Sequence, residues 1–342
     1  MRKNWYTFMF PILLLAVLSA ELVSPALAVK GSYPGINGNI AFSDNDPNLP
    51  YDLEIFVADN DGTNIQQLTH NEVDDDDPCW SPDGTKIAYA SDSPRKIWIM
   101  DADGSNQNQL TTPPEGQFDL DPAWSPDGSK IAFWRTTGAT GVGIYVINAA
   151  GPAGAGTLLI NGYVVDPSWS PDGSAIAYAS FGTIYVADAA TGTLKRTLGE
   201  VGGEPCWSPD GTKIAFGASQ IWVMNSADGS NQQQLSDPSH DDYDDEPNWS
   251  PDGQKIIFHR RLGSIWIMNA DGSNEYDLTP TRSNAHEPDF QRLPEQEPTP
   301  TPRPVGGIVT PVNKLELLTP YLALAGLLIA VSVVVSIRRR KD

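Results

Sequence analysis

The chain has 342 residues, 40% of them hydrophobic and 19% charged, with a formal net charge of −21. The apolar content excludes a disordered polymer, and the acidic excess argues against a nucleic-acid partner, which needs clustered Lys and Arg against phosphates. Twenty-nine prolines and thirty glycines suit short strands and tight turns and argue against a helical bundle.

Residues 1–28 read as a secretory signal: Met1-Arg2-Lys3-Asn4, an apolar run from Trp5 to Ala20, then Ala26-Leu27-Ala28. An uncleaved anchor is the alternative. Next come three strand-like runs, "GNIAF", "EIFVADNDGTN" and "QQLT", spanning Ile40 to Thr69. The motif "WSPDG" then begins at Trp80, Trp124, Trp169, Trp207 and Trp249, at spacings of 44, 45, 38 and 42 residues. Each copy sits in the same order of elements: Pro-x-Trp-Ser-Pro-Asp-Gly, a run such as "KIAYA", a second such as "KIWIM", a "DADGSN" turn, and a run ending "QLT". Four short strands per unit of this length describe a propeller blade.

The turn chemistry agrees. In Ser-Pro-Asp-Gly, proline presets φ for a type I turn and glycine takes the left-handed position that follows, closing a hairpin with a bulge. Runs such as Ile87-Ala88-Tyr89-Ala90 have no polar face, so both faces must be covered by neighbouring blades. Tryptophan at one fixed place per unit reads as packing between blades rather than a ligand platform.

This motif series resembles the TolB-type WSPDG-repeat β-propeller family, over about residues 38–291. The third and fourth units depart from it, with "AAGPAGAG" and "AATG" in place of the Asp-Gly turn. The resemblance implies the fold; no TolB-type N-terminal domain and no prolyl-oligopeptidase-type hydrolase domain is read here, so family partners and catalytic residues are not carried over. The expected fold is all-β: a six-bladed propeller of four-stranded blades over 38–292. Its first blade takes its innermost strand from Glu287–Phe290 and the other three from Ile40–Thr69, which closes the ring.

Beyond the propeller, residues 293–316 are Pro-rich and read as an extended stalk of up to roughly 60 Å. Residues 317–337 carry no charge and at about 1.5 Å per residue are long enough for a transmembrane helix. The basic tail 338–342 places the preceding residues outside the cytoplasm. A single-pass cell-membrane protein with an extracytoplasmic propeller is expected.

The residue before each blade proline is a carboxylate in all six units: Asp77, Asp121, Asp166, Glu204, Glu246 and Glu287. Rotational equivalence turns that column into a circle around one mouth of the channel, thickened by Asp74, Asp75, Asp76, Asp119, Asp241, Asp242, Asp244 and Asp245. Two plainer accounts compete: Asp before Pro starts turns by accepting local N–H groups, and acidic loops keep a secreted protein soluble. Otherwise such a mouth suits a basic peptide, a protein surface, or a hard cation such as Ca2+. His70, His240, His259 and His286 fall on this same face, and a transition-metal site from His240, His259, His286 and Asp242 is conceivable, although the spacings match no zinc signature. The "DADGSN" turns lack the later glutamate of a calcium loop and read as hairpin turns on the opposite face. Cys79 and Cys206 stand across the channel in blades 2 and 5, beyond bridging distance, and are expected as free, buried thiols.

A non-catalytic, membrane-anchored binding module with no certain cofactor is the leading expectation. The competing class is a metal-dependent polysaccharide lyase or hydrolase using the same face; no Gly-x-Ser-x-Gly or His-Glu-x-x-His motif supports it.

Overall fold

Each Ser-Pro-Asp-Gly stretch folds as its chemistry dictates. In the computed structural model, Ser81 O accepts the Gly84 N–H at 2.8 Å, and Ser81 N–H donates to Lys86 O at 2.8 Å. Asp83 Oδ1 closes the turn by accepting from Ser81 Oγ at 2.7 Å and from Thr85 N–H at 3.1 Å. Gly84 lies at φ +68°, and a Cβ there would meet Arg292 O at 2.2 Å, so glycine is required twice over. The same staple recurs around Asp127, Asp172, Asp210 and Asp252.

The structure describes residues 35–294 apart from 138–140, 201, 238, 240–242 and 262. The expected signal segment, membrane helix and basic tail, and all but the first two residues of the expected stalk, lie outside them. No helix among the described residues is long and apolar enough to cross a membrane.

Six four-stranded antiparallel sheets form the fold. Blade 1 contains β1 (Ile36–Asp46), β2 (Leu49–Ala58), β3 (Gln66–Gln67) and, innermost, β24 (His286–Leu293), in the order β24-β1-β2-β3. Blade 2 is β4 (Asp76–Trp80), β5 (Lys86–Ser91), β6 (Lys96–Asp101) and β7 (Asn108–Gln109). Blade 3 is β8 (Phe118–Trp124), β9 (Lys130–Thr136), β10 (Gly141–Asn148) and β11 (Thr157–Asn161). Blade 4 runs from β12 (Val165–Trp169) through β13 (Ala175–Ser180) and β14 (Thr183–Asp188) to β15 (Leu194–Glu200). Blade 5 is β16 (Gly203–Trp207), β17 (Lys213–Gly217), β18 (Ile221–Asn225) and β19 (Gln233–Gln234). Blade 6 is β20 (Asp244–Trp249), β21 (Lys255–Arg260), β22 (Ser264–Asn269) and β23 (Tyr276–Asp277).

Ring closure is as expected, with a longer seam: Phe290 pairs with Ile40 and Leu293 with Ile36. Six apolar clusters fill the six blade interfaces, and each receives one aromatic from the repeat column: Phe290, Trp80, Trp124, Trp169, Trp207 or Trp249. Two of these rings also bond the preceding blade, Trp124 Nε1 to Cys79 O and Trp169 Nε1 to Ala123 O, both at 3.1 Å. Burial of such side chains, at about 1.5–3 kcal/mol each, binds blade to blade. The hairpin turns joining third to fourth strands are stapled by their own side chains, as where Asn106 Nδ2 donates to Asp101 at 2.6 Å and Ser105 Oγ to Asp103 at 2.6 Å.

Candidate functional site

Proline following the column carboxylate has no N–H for the ladder, so the inner strand bulges there. The register slips between Asp76 and Cys79, Leu120 and Ala123, Val165 and Ser168, Gly203 and Cys206, and Asp245 and Asn248. Asp77, Asp121, Asp166, Glu204, Glu246 and Glu287 all lie in the left-handed region, with φ between 50° and 55°. That backbone costs about 1–2 kcal/mol per non-glycine residue.

The compensation runs around the ring. Asp77 accepts the Asp121 N–H at 3.1 Å, Asp166 that of Glu204 at 3.1 Å, Glu204 that of Glu246 at 2.8 Å, and Glu246 that of Glu287 at 2.6 Å. The local turn bond considered from sequence is thus replaced, in these four, by a bond to the next blade. The carboxylates tie blades together as well as charging the mouth.

All six face one cavity of about 280 Å³ that runs along the axis past the blade prolines. Asp77 is buried and the other five are half-buried. Burial, with charge from neighbouring ring members, pushes Asp121, Glu204 and Glu287 above the usual carboxylate range, and burial with the charge of Asp245 does the same to Glu246. Burial alone raises Asp166 to about 6, and burial plus the charge of Asp76 raises Asp77 to about 7.

Part of the counter-charge is built in. Asp76 receives Arg95 Nη1 at 2.8 Å and His286 Nε2 at 3.1 Å. Burial opposes its ionisation, yet those two cations hold Asp76 below the usual range. His286 also donates from Nδ1 to Asn284 O at 2.7 Å. Burial disfavours its charge, but Asp76 and Glu246 outweigh that and lift it to about 9.

Two sets of donors converge: one ligand atom each of Asp77, Asp121 and Glu287, and one each of Asp245, Glu246 and His259, lie within 4.8 Å of one another. Either set offers mainly hard oxygens of the kind Ca2+ takes. Of the histidine set considered from sequence, His240 and Asp242 lie outside the described residues. His259 and His286 approach with ring centroids 6.2 Å apart. His259 Nδ1 rests 2.6 Å from Asp245 Oδ1, while both nitrogens of His286 are engaged.

Three acids expected to thicken the mouth do not. Asp75, Asp119 and Asp244 are 0%, 0% and 1% exposed and point into the blade seams. Asp119 and Asp244 each receive a two-pronged arginine, from Arg135 and Arg260. Cys79 and Cys206 are free, but half-buried rather than buried, because both line the axial cavity. Burial pushes the Cys206 thiol to about 12.

Sequence reading missed Asp289. It occupies the same x position as the two cysteines and accepts the Trp80 N–H at 2.6 Å and Asn248 Nδ2 at 2.7 Å. Burial raises it to about 7. Also missed was a crater of about 1090 Å³ beside the mouth, where Tyr51, Phe118, Trp134 and Tyr163 meet Asp52, Asp74 and Asp92. At its edge Phe181 is 84% exposed, sits at φ 49° and stacks on Tyr163 at 4.8 Å. Its left-handed φ, followed by Gly182 at 77°, is that of the two-residue hairpin turn joining β13 to β14.

These features define a closed six-bladed propeller with a carboxylate-ringed axial mouth. Residues 17–146 and 93–292 match the model of the TolB beta propeller domain, and the chain belongs to that family. A protein TolB homolog of Protochlamydia amoebophila (strain UWE25) is 47% identical over 49 residues, 14% of this chain and 10% of the relative's length. The crystal structure of TolB from Acinetobacter baumannii superposes with a TM-score of 0.61 at 24% identity, covering 74% of this chain and 66% of that one. The hydrazine synthase of Kuenenia stuttgartiensis contains a similar arrangement, with a TM-score of 0.59 at 17% identity over 76% of this chain and 47% of that one. The chain therefore spans a tenth of the curated relative and under two thirds of either solved chain, and the similarities define the fold alone.

Proposed function

We propose that this protein is an extracytoplasmic binding module, held at the membrane by its 317–337 segment. Its propeller mouth captures a basic segment of a protein partner. The observation that carries the reading is the ring itself: six carboxylates converge on one small cavity, burial disfavours the charge of each, and Asp121, Glu204 and Glu287 also feel the charge of other ring members, so a cationic group entering there is met by acids that lack a counter-ion. The adjoining crater supports a peptide over a bare ion, because its aromatic walls suit the aliphatic stem and charged head of Lys or Arg.

The test uses the full chain in detergent with a Lys/Arg-rich peptide and, separately, Ca2+. Replacing Glu204, Glu246 and Glu287 by glutamine keeps an oxygen acceptor for the ring N–H groups while removing three charges. Peptide binding is expected to fall at least 100-fold and to weaken with salt, with the melting transition retained. Unchanged peptide affinity would sink the proposal, and Ca2+ binding without peptide binding would reassign the mouth to an ion.

A further inference from the structure

The repeat provides an internal control for one buried group. Two residues before the ring carboxylate, blades 3 and 6 carry Asp119 and Asp244, and each is neutralised from the sixth position of its blade's second strand. Arg135 Nε and Nη2 reach Asp119 at 2.6 and 2.7 Å. Arg260 Nε and Nη2 reach Asp244 at 2.6 and 2.8 Å. Blade 2 has the aspartate, Asp75, but not the arginine: in the strand Lys86–Ser91, aligned with Lys130–Arg135 and Lys255–Arg260, that sixth position is Ser91.

A second carboxylate arrives in its place. Glu54 of β2 is 0% exposed, as is Asp75, and the two lie close enough to hydrogen-bond when one is protonated. In the other five blades the position of Glu54, directly before the buried isoleucine, holds Lys96, Gly143, Thr183, Gln220 or Ser264. Asn71 satisfies one oxygen of each acid, its N–H donating to Glu54 Oε1 at 2.9 Å and its Nδ2 to Asp75 Oδ2 at 2.7 Å. The other oxygens, Glu54 Oε2 and Asp75 Oδ1, are buried with no donor at hydrogen-bonding geometry, as is Ser43 Oγ on the adjacent strand; only the Thr69 hydroxyl lies near both acids and that of Ser91 near Asp75. Among the described residues no Lys, Arg or His pairs with either acid.

An isolated buried carboxylate costs several kcal/mol, and two facing each other cost more. We propose that Glu54 and Asp75 hold a divalent metal cation of the oxygen-seeking class, Ca2+ or Mg2+, in the seam between blades 1 and 2, where it replaces the guanidinium of blades 3 and 6. Two carboxylates carry a charge that a divalent ion cancels and one shared proton does not. The hydroxyls of Thr69 and Ser91 also face Asp75, so the donors are all oxygen. Burial pushes Asp75 up, and burial with the charge of Asp75 pushes Glu54 to about 7, as expected of acids lacking a counter-ion. The seam joins the ring-closing blade to its neighbour, so the ion would lock the closure and lies apart from the mouth.

The test takes the full chain, strips it with EDTA, and adds Ca2+ or Mg2+ alone. About one equivalent of metal retained after dialysis is expected, with a rise in Tm of roughly 5–10 °C at saturation. Glu54→Gln combined with Asp75→Asn should abolish both. Ser91→Arg should also abolish them, by supplying the missing guanidinium, and it decides the matter if the first variant does not fold. The mouth variant with Glu204, Glu246 and Glu287 changed to Gln should keep the response, which separates this site from the peptide-binding reading. Absence of retained metal and of any chelator effect in the wild type would overturn the proposal and leave a shared proton. A metal response that survives in Ser91→Arg would do the same.

Discussion

Glu204 separates the two jobs of a ring carboxylate. Its Oε2 accepts the Glu246 N–H at 2.8 Å, while its charge is disfavoured by burial and by Asp166, Asp245 and Glu246. Glutamine keeps the acceptor and removes the charge; alanine removes both. Leaving the half-buried Glu246 N–H unbonded should cost about 1–3 kcal/mol. At about 2–4 °C per kcal/mol for a domain of this size, Glu204→Ala should lower the Tm by roughly 2–12 °C, and Glu204→Gln should leave it unchanged or raise it. For binding of a Lys/Arg-rich peptide the order differs: both variants lose the charge, and both should weaken affinity about 10- to 150-fold, the equivalent of a charge-assisted contact of about 1.5–3 kcal/mol. Differential scanning fluorimetry and titration calorimetry read the two quantities. Equal destabilisation by Gln and Ala would refute the division of labour, and wild-type affinity in Glu204→Gln would remove the charge from the mechanism.

Further outcomes follow from the same geometry. Asp166 and Asp289 have folded pKa values of about 6 and about 7, above an ordinary 3.8. Their contribution is therefore present at low pH and lost as pH rises through those values, so melts from pH 4 to 8 should show Tm declining across pH 4–7. Asp289→Asn should flatten the upper part of that decline. Arg135→Met leaves Asp119 buried without a cation and should cost about 3–5 kcal/mol; adding Asp119→Leu should recover much of it, measured by urea denaturation. A chain ending at Ala285 lacks β24, exposes the edge of β1 and empties the Phe290 position, so it should aggregate or fail to melt cooperatively, judged by light scattering and calorimetry.

Blade number, ring closure and the carboxylate circle were legible in the sequence because rotation converts a repeated column into a ring, and Phe290 stood where tryptophan recurs. Which acids face the mouth was not legible. Asp119 and Asp244 sit in acidic stretches, and only the fold shows that their partners are Arg135 and Arg260, sixteen residues on. The left-handed backbone of six Asp or Glu residues carries no composition signal, and neither does a bond from one blade's carboxylate to the next blade's amide. The crater escaped because Tyr51, Phe118 and Tyr163 come from a loop and strand ends that the repeat does not share, and Trp134, although within β9, stands where the other blades hold serine, alanine, glycine or histidine. Asp289 could have been found by aligning the x of Pro-x-Trp, a column otherwise holding cysteine, alanine, serine and asparagine.

The pairing of Ile36 with Leu293 has a practical side. The chain enters and leaves the wheel through adjacent threads, at the rim where the Ser-Pro-Asp-Gly hairpins lie and away from the carboxylates. A label placed at the half-exposed Ile36 or Leu293 would thus sit behind the hub, leaving its charged front open to whatever is presented in solution.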